Sequence, residues 1–474
     1  VPSPHPPAPA WLPLALVAAG TALLGGLNAY DAWAMAPSWG QDLAFFTQIV
    51  HSAATGGPWA SPLLLEPQGF FTMVHTHLVL PLVVASYALV PRQEVLLLWQ
   101  GLFAALCLWP AFRLAEGCAR DRGLARPALW ASLAALSLLL LGPLQAVGTC
   151  DFRPSVLFLP GILGVLAAAR QRRTGVALAW GGVALLGRQE ASYLLADVGL
   201  ALCLLPWGSW TTQGPWGRRA RAATPWRTGL AVLGLGLLSF GAWVLVKPAM
   251  FFHFDPTHLP PPAALSPDHL QARLHFGERL LRSGLGVGLL APGALVAGLP
   301  LAWQLARDGR EWTDLVGATA HYHAPWLAFA LAGALAGLAR WPRRLGGPWL
   351  ALPLFALANA LAWPWPAPRQ GPVALRRLVA EVPAQARVAA DYDTIHALAG
   401  RPVLWNAAVL SMPAEQRPLG WAGAWPIPLS DLDLLLTTQD DPAATLAREQ
   451  GWTELDREAV DGRLHVLLRA PGRP

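Results

Sequence analysis

Asp42, His77, Asp151 and Glu190 are the side chains whose type and setting could do chemistry in this sequence. Asp42 lies in WGQDLAFFTQIV, with Gln48 and His51 downstream. If this piece is helical, Asp42, Phe45, Phe46 and Ile49 share one face at three-to-four spacing. A carboxylate beside apolar side chains loses hydration, and its affinity for a proton or a metal rises. The competing reading is a solvated loop acid that caps a helix. His75-Thr76-His77 offers two imidazoles at i, i+2, suited to a metal, to a phosphate, or to a plain membrane boundary. Cys150-Asp151-Phe152-Arg153-Pro154 reads as a short turn. There Asp151 either pairs with Arg153 or serves a metal or acid–base role.

Arg188-Gln189-Glu190 separates two apolar segments of about 14 and 16 residues. Charges at membrane depth cost about 2.5–3.5 kcal/mol each and tend to mark a site. The alternative is an Arg188–Glu190 pair in water. Asp197 follows one to two turns later, either inside a span or as a buried partner for a cation. His321-Tyr322-His323 stands at the mouth of a late apolar block. Segment 248–278 holds His253, Asp255, His258, Asp268, His269, His275 and Glu278, without tight ligand spacing. No P-loop, dinucleotide glycine fingerprint, nucleophile elbow or HExxH is present.

The elements that must carry these residues are membrane spans. Of 474 residues, 54% are hydrophobic and 13% charged, against about 25% charged in an ordinary soluble protein. The apolar residues come in blocks of 15 to 25, the length a hydrocarbon slab of about 30 Å demands of a helix. Unpaired backbone groups are not tolerated in lipid, and the strict alternation of barrel strands is missing. Eleven spans are predicted: 11–30, 95–114, 127–147, 155–169, 174–187, 191–206, 229–247, 279–291, 294–306, 323–339 and 346–363. The first lacks a charged leader and a cleavage site, so it reads as an uncleaved span. Segment 78–90 is too short to cross comfortably and suits a re-entrant or interfacial helix.

The net charge of +6 is carried by arginine, since Lys247 is the only lysine. Four arginine groups (around Arg113–Arg126, Arg170–Arg173, Arg218–Arg227 and Arg340–Arg344) fall on one side if 78–90 does not cross. The positive-inside rule makes that side the cytoplasm. The arginines thus read as a topology signal and not as a nucleic-acid surface. The N-terminus is then cytoplasmic. The first outer loop, 31–94, the later polar turns and everything after about 364 are extracytoplasmic. The four cysteines are scattered and contain no CxxC pair. After the Trp363-Pro364-Trp365-Pro366 linker, strand-like runs at 387–390, 402–405, 432–437 and 463–468 alternate with helical stretches at 373–381 and 441–449. The expected architecture is mainly α: a polytopic membrane domain over 1–366 and a small α/β domain over 367–474.

Taken in order, Asp42 with Gln48, His77 before an apolar helix, DFRP, RQE and HYH resemble an uncharacterised family of bacterial multi-pass membrane proteins. That family is grouped with the GT-C glycosyltransferase-like superfamily. The similarity covers about residues 20–340, with a weaker match beyond. The family's Asp-Phe-His-Pro-Glu is here Asp151-Phe152-Arg153-Pro154-Ser155, and its Lys-Glu-Asp is Arg188-Gln189-Glu190. The resemblance implies sugar transfer from a polyprenyl-phosphate carrier at the outer face. Asp42 would be catalytic base or metal neighbour, with Asp151 and Glu190 as further acids. Arg153, Arg188 or a divalent metal would supply the cation that a phosphate leaving group needs. His77, Gln48, His321 and Tyr322 would line the substrate site. Two other classes stay open: a transporter or flippase of a lipid-linked or small polar substrate, and a non-catalytic membrane protein. A transporter should carry ionisable residues in broken helices near mid-membrane.

Overall fold

The computed structural model describes residues 8–33, 41–61, 63, 70, 76–204, 225–246, 278, 284–291, 298, 324–362, 373–391, 394–399, 401, 403–410, 429–460 and 462–473. The chain forms two compact units. One comprises 1–26, 77–79 and 100–366; the other comprises 27–76, 80–99 and 367–474.

The first unit is helical. Helix α1 (Trp11–Trp33), the pair α4 (Glu94–Ala105) and α5 (Leu108–Asp121), and α11 (Trp226–Val246) are long and apolar enough to cross a membrane. Helices α6 (Pro127–Ser137) and α7 (Gly142–Thr149) make a fourth candidate, bent by 68°. The bend falls at Leu141, extended at ψ 115°, ahead of Gly142-Pro143, where proline removes a donor. Gln145 Nε2 donates to the Leu139 carbonyl at 2.8 Å and satisfies a group that the break releases. Helices α8 (Phe158–Arg170), α9 (Thr174–Gly187), α10 (Ala191–Leu204), α12 (Ala324–Ala339) and α13 (Gly347–Ala362) are apolar but shorter. Eleven spans were expected; the described residues supply three helices of full spanning length, or four with the bent pair. A 14-residue helix rises only about 21 Å. Of the expected spans at 279–291 and 294–306, residues 284–291 and 298 are described, and Gly284–Leu290 is a 3₁₀ helix.

Close helix approach rests on small residues, as expected where lipid offers no hydrophobic drive between helices. A Cβ at Gly101 would collide with the backbone of Gly25. One at Gly236 would lie 2.6 Å from the Ser192 carbonyl, so α11 rests directly on the backbone of α10.

In the second unit, α2 (Gln41–Ala54) packs against α3 (Leu80–Leu89), the short segment expected at 78–90. His51 meets Tyr87 edge-on at 6.1 Å. Five strands, β1 (Arg387–Ala390), β2 (Val403–Asn406), β3 (Leu434–Thr438), β4 (Thr453–Val460) and β5 (Arg463–Arg469), form one sheet in the order β2-β1-β3-β5-β4. β1 pairs parallel to β2 and β3, and β5 antiparallel to β3 and β4. Alternation sends Val388, Leu434, Leu436 and Leu467 to one core and Ala389, Leu435, Val466 and Leu468 to the other. The first core also takes Ala44 of α2, Leu63, and Leu375 and Leu378 of α14 (Val373–Glu381). The second takes α15 (Pro442–Glu449), capped by Asp441, whose carboxylate accepts from Ala443 N at 2.7 Å. Strand β4 was not expected. It is an edge strand with charged, exposed positions, which deters pairing with another chain.

Candidate functional site

Gly187, the last residue of α9, is where three of the polar clusters meet in the first unit. His77 Nδ1–H donates to the Gly187 carbonyl at 2.6 Å, and Val79 N donates to the Leu186 carbonyl at 2.9 Å. A Cβ on Gly187 would stand 2.7 Å from the Pro154 carbonyl and 3.0 Å from Leu157 Cβ. His77, the Asp151–Pro154 turn and the Arg188–Glu190 turn are therefore assembled around one glycine.

The Asp151–Pro154 turn is fixed by sequence and by packing. Pro154 disfavours a helical conformation for the residue before it, and Arg153 is extended at φ −137°, ψ 92°. Phe152 is fully buried, with its ring 6.0 Å from that of Phe103. The buried amide of Gln100 closes the turn from the other side. Its Nε2 donates to the Val147 carbonyl at 2.7 Å and to Cys150 Sγ at 3.1 Å, and its Oε1 accepts from Arg153 N at 2.8 Å. Residue spacing does not single out Gln100. The available signal was an amide alone in an apolar block, which costs free energy unless it is bonded.

The second turn begins where α9 ends in extended Arg188 (φ −166°, ψ 149°). Ser192 Oγ donates to the Gln189 carbonyl at 2.7 Å and ties the turn to α10. Both turns carry an internal ion pair: Arg153 Nε to Asp151 Oδ1 at 3.1 Å, and Arg188 Nε to Glu190 Oε1 at 2.9 Å. The carboxylate side chains are 7% and 11% exposed and the guanidinium side chains 23% and 19%. The acids are thus sunk and the arginines partly presented. Such pairing holds a guanidinium in a fixed orientation.

A divalent cation does not fit this pair of turns, because each carboxylate already carries a guanidinium. Among the described residues no group of three or more histidine, cysteine, aspartate and glutamate side chains stands close enough to hold a metal.

The other candidates are placed elsewhere. Asp42 occupies the first turn of α2 in the second unit, half-buried. Gln48, one to two turns on, is buried and accepts from Ser61 Oγ at 2.6 Å. Asp197 lies on an exposed face of α10 with Tyr193 and Leu200, so it is not the buried partner that was considered. His321 and Tyr322 lie outside the described residues, as do His75 and the 248–277 stretch.

The fold so built is that of an integral membrane protein, mostly helical, with apolar helices of spanning length and a small C-terminal sheet domain. The likeness is to ArnT from Cupriavidus metallidurans in the apo state, at a TM-score of 0.55 and 14% identity over 95% of this chain and 98% of that one. The archaeal oligosaccharyltransferase AglB from Archaeoglobus fulgidus, in complex with an inhibitory peptide and a dolichol-phosphate, aligns over 96% of this chain and 74% of its own. Its TM-score of 0.39 at 12% identity carries no argument. No family model and no curated protein matches the chain. The likeness to ArnT is therefore one of fold, and nothing in it supports the uncharacterised family.

Proposed function

We propose that this protein transfers a sugar from a polyprenyl-phosphate carrier to an acceptor hydroxyl at the outer membrane face. The observation that supports this most is the assembly of His77, Arg153 and Arg188 around Gly187, in a chain whose fold is GT-C-like. In the reaction the acceptor oxygen attacks the sugar's anomeric carbon, and the bond from that carbon to the carrier phosphate breaks. The phosphate leaves with the electron pair. Arg153 and Arg188, oriented by Asp151 and Glu190, bind that phosphate and stabilise the charge it gains. His77 fixes the edge of the same region. Asp42 takes the acceptor's proton, a role assigned by the resemblance and suited to a half-buried carboxylate. Gln48, His321 and Tyr322 are assigned to substrate contact on the same ground. The N-terminus is placed in the cytoplasm and the C-terminal domain outside, by the arginine pattern.

The transporter reading asks for ionisable residues at broken helices. The break at Leu141 carries none; Gln145 fills it. The test is transfer by the reconstituted chain from polyprenyl-phosphate-linked sugars. Asp42→Asn should abolish turnover while donor still binds, and Arg188→Gln should weaken donor binding. Turnover that survives both substitutions overturns the reading.

A further inference from the structure

We propose a second phosphate-binding site, separate from the outer turns, in the arginine-lined cavity among α5, α8 and α9 of the first unit. The cavity measures about 820 Å³, within the range of small-ligand sites. Five arginines line it: Arg113, Arg120, Arg170, Arg172 and Arg173. Against them stand two carboxylates, Glu116 and Asp121, which leaves three positive charges in excess.

The acids are committed within the cluster. Glu116, 4% exposed at its side chain, accepts from Arg120 at 2.6 Å, from Arg113 at 3.2 Å and from Ala8 N at 3.0 Å. Asp121 pairs with Arg170. Arg170 is the telling residue. Its side chain is only 8% exposed, and its Nε–H is buried with no hydrogen-bond partner. A buried N–H of a permanent cation left without an acceptor is costly, and an anion in the cavity would remove that cost. Arg172, held at φ 56°, and Arg173 are exposed at the rim of the cavity. The first turn of α9, the positive end of its dipole, contributes Val176 to the lining.

A planar guanidinium cluster of this kind selects phosphate over a monovalent halide, because two parallel N–H groups meet two phosphate oxygens. Trp109 and Trp180, rings edge-to-face at 6.5 Å, form an apolar wall beside the charge. Tryptophan of this kind belongs to the headgroup level of a bilayer. A phosphate borne by an anionic membrane lipid meets both features, and a free phosphate meets the first. The arginine loops of this face are those assigned to the cytoplasm, so the site lies on the opposite side from the proposed transfer.

The test uses the full chain purified in neutral detergent, with thermal unfolding and native mass spectrometry as readouts. Three additions are compared: phosphatidylglycerol, phosphatidylcholine and inorganic phosphate. Binding of phosphatidylglycerol at least tenfold tighter than phosphatidylcholine supports a lipid phosphate. Stabilisation by inorganic phosphate, and not by equal ionic strength of chloride, supports a free one. Two variants then locate the effect. R172Q/R173Q removes two of the lining charges and leaves Arg170 in place. Gly117→Ala keeps every charge but drives a methyl into the Arg170 guanidinium. Both should lower the preference tenfold or more. Equal binding of the two lipids with no phosphate effect overturns the proposal, and so does a preference that both variants leave intact.

Discussion

His77 donates its Nδ1 proton to the carbonyl oxygen of Gly187 at 2.6 Å, across a sequence separation of 110 residues. A carbonyl only accepts, so the contact fixes the tautomer and leaves Nε2 of the neutral ring as an acceptor. His77→Ala removes this tie and should lower stability by about 1 kcal/mol. Transfer should fall by more than that loss of folded protein explains. His77→Asn, which keeps a donor near the Nδ1 position, should restore most of it. Donor-dependent turnover and unfolding temperature, measured on the same preparations, separate the two effects. Equal turnover for the Ala and Asn variants would remove His77 from the site.

Gly187→Ala tests the packing of the two turns without touching any polar side chain. The added methyl meets a backbone carbonyl, which cannot rotate away as a side chain can. Overpacking of this kind costs about 1–3 kcal/mol. The expected result is a folded protein of lower unfolding temperature whose affinity for donor is reduced tenfold or more. Unchanged donor affinity would mean that the turns work independently.

Gln100→Leu conserves volume but deletes three hydrogen bonds, leaving Arg153 N without its acceptor. Stranding a buried group costs about 1–3 kcal/mol. Hydrogen exchange at residues 150–153 should accelerate, and the apparent Michaelis constant for donor should rise with a smaller change in kcat. An exchange pattern identical to the parent would show that the amide is not what holds the turn.

His396 supplies a pH dependence. Burial pushes its pKa down from 6.5 to about 4, with Asp391 opposing the shift. Both ring nitrogens are buried without partners. The folded state thus holds the ring neutral while the unfolded chain binds a proton below pH 6.5. The C-terminal domain should keep its full stability above that pH and lose it progressively as pH falls towards 4, by up to about 3 kcal/mol. Hydrogen exchange of 395–399 in the whole protein reads this directly. His396→Leu should flatten the slope between pH 6.5 and 4; a slope that persists assigns it to another group.

The sequence reading captured what depends on local pattern. Strand β1 and helix α14 fall at their expected residues, and β2, β3 and β5 lie within two residues of theirs. Long apolar blocks gave the helices because lipid enforces backbone pairing. Long-range partners left no such mark. Gln100 has no periodicity to reveal it, and its hydrogen-bond partners are some fifty residues away. Strand β4 has charged outward positions because an edge has no neighbour to bury them against. The ion pairs Asp151–Arg153 and Arg188–Glu190 were legible as alternatives from spacing alone. Their gathering at Gly187 was not, because glycine has no side chain that could advertise a contact. The spacing in helix α2 shows the face carrying Asp42, but Ala44 belongs to a core whose other buried members, Leu63 apart, come from the far end of the chain.

That last feature governs the order in which the protein can be made. Among the described residues, the other buried members of the core that takes Ala44 and Leu63 run from Leu375 to Leu467. A ribosome adds roughly 5–20 residues per second, so the segment bearing Asp42 waits many seconds for the rest of its core to be synthesised. Until the last strands have been translated, that helix has no complete hydrophobic seat. A nascent or prematurely terminated chain therefore inserts its membrane helices with the Asp42 segment still unassembled.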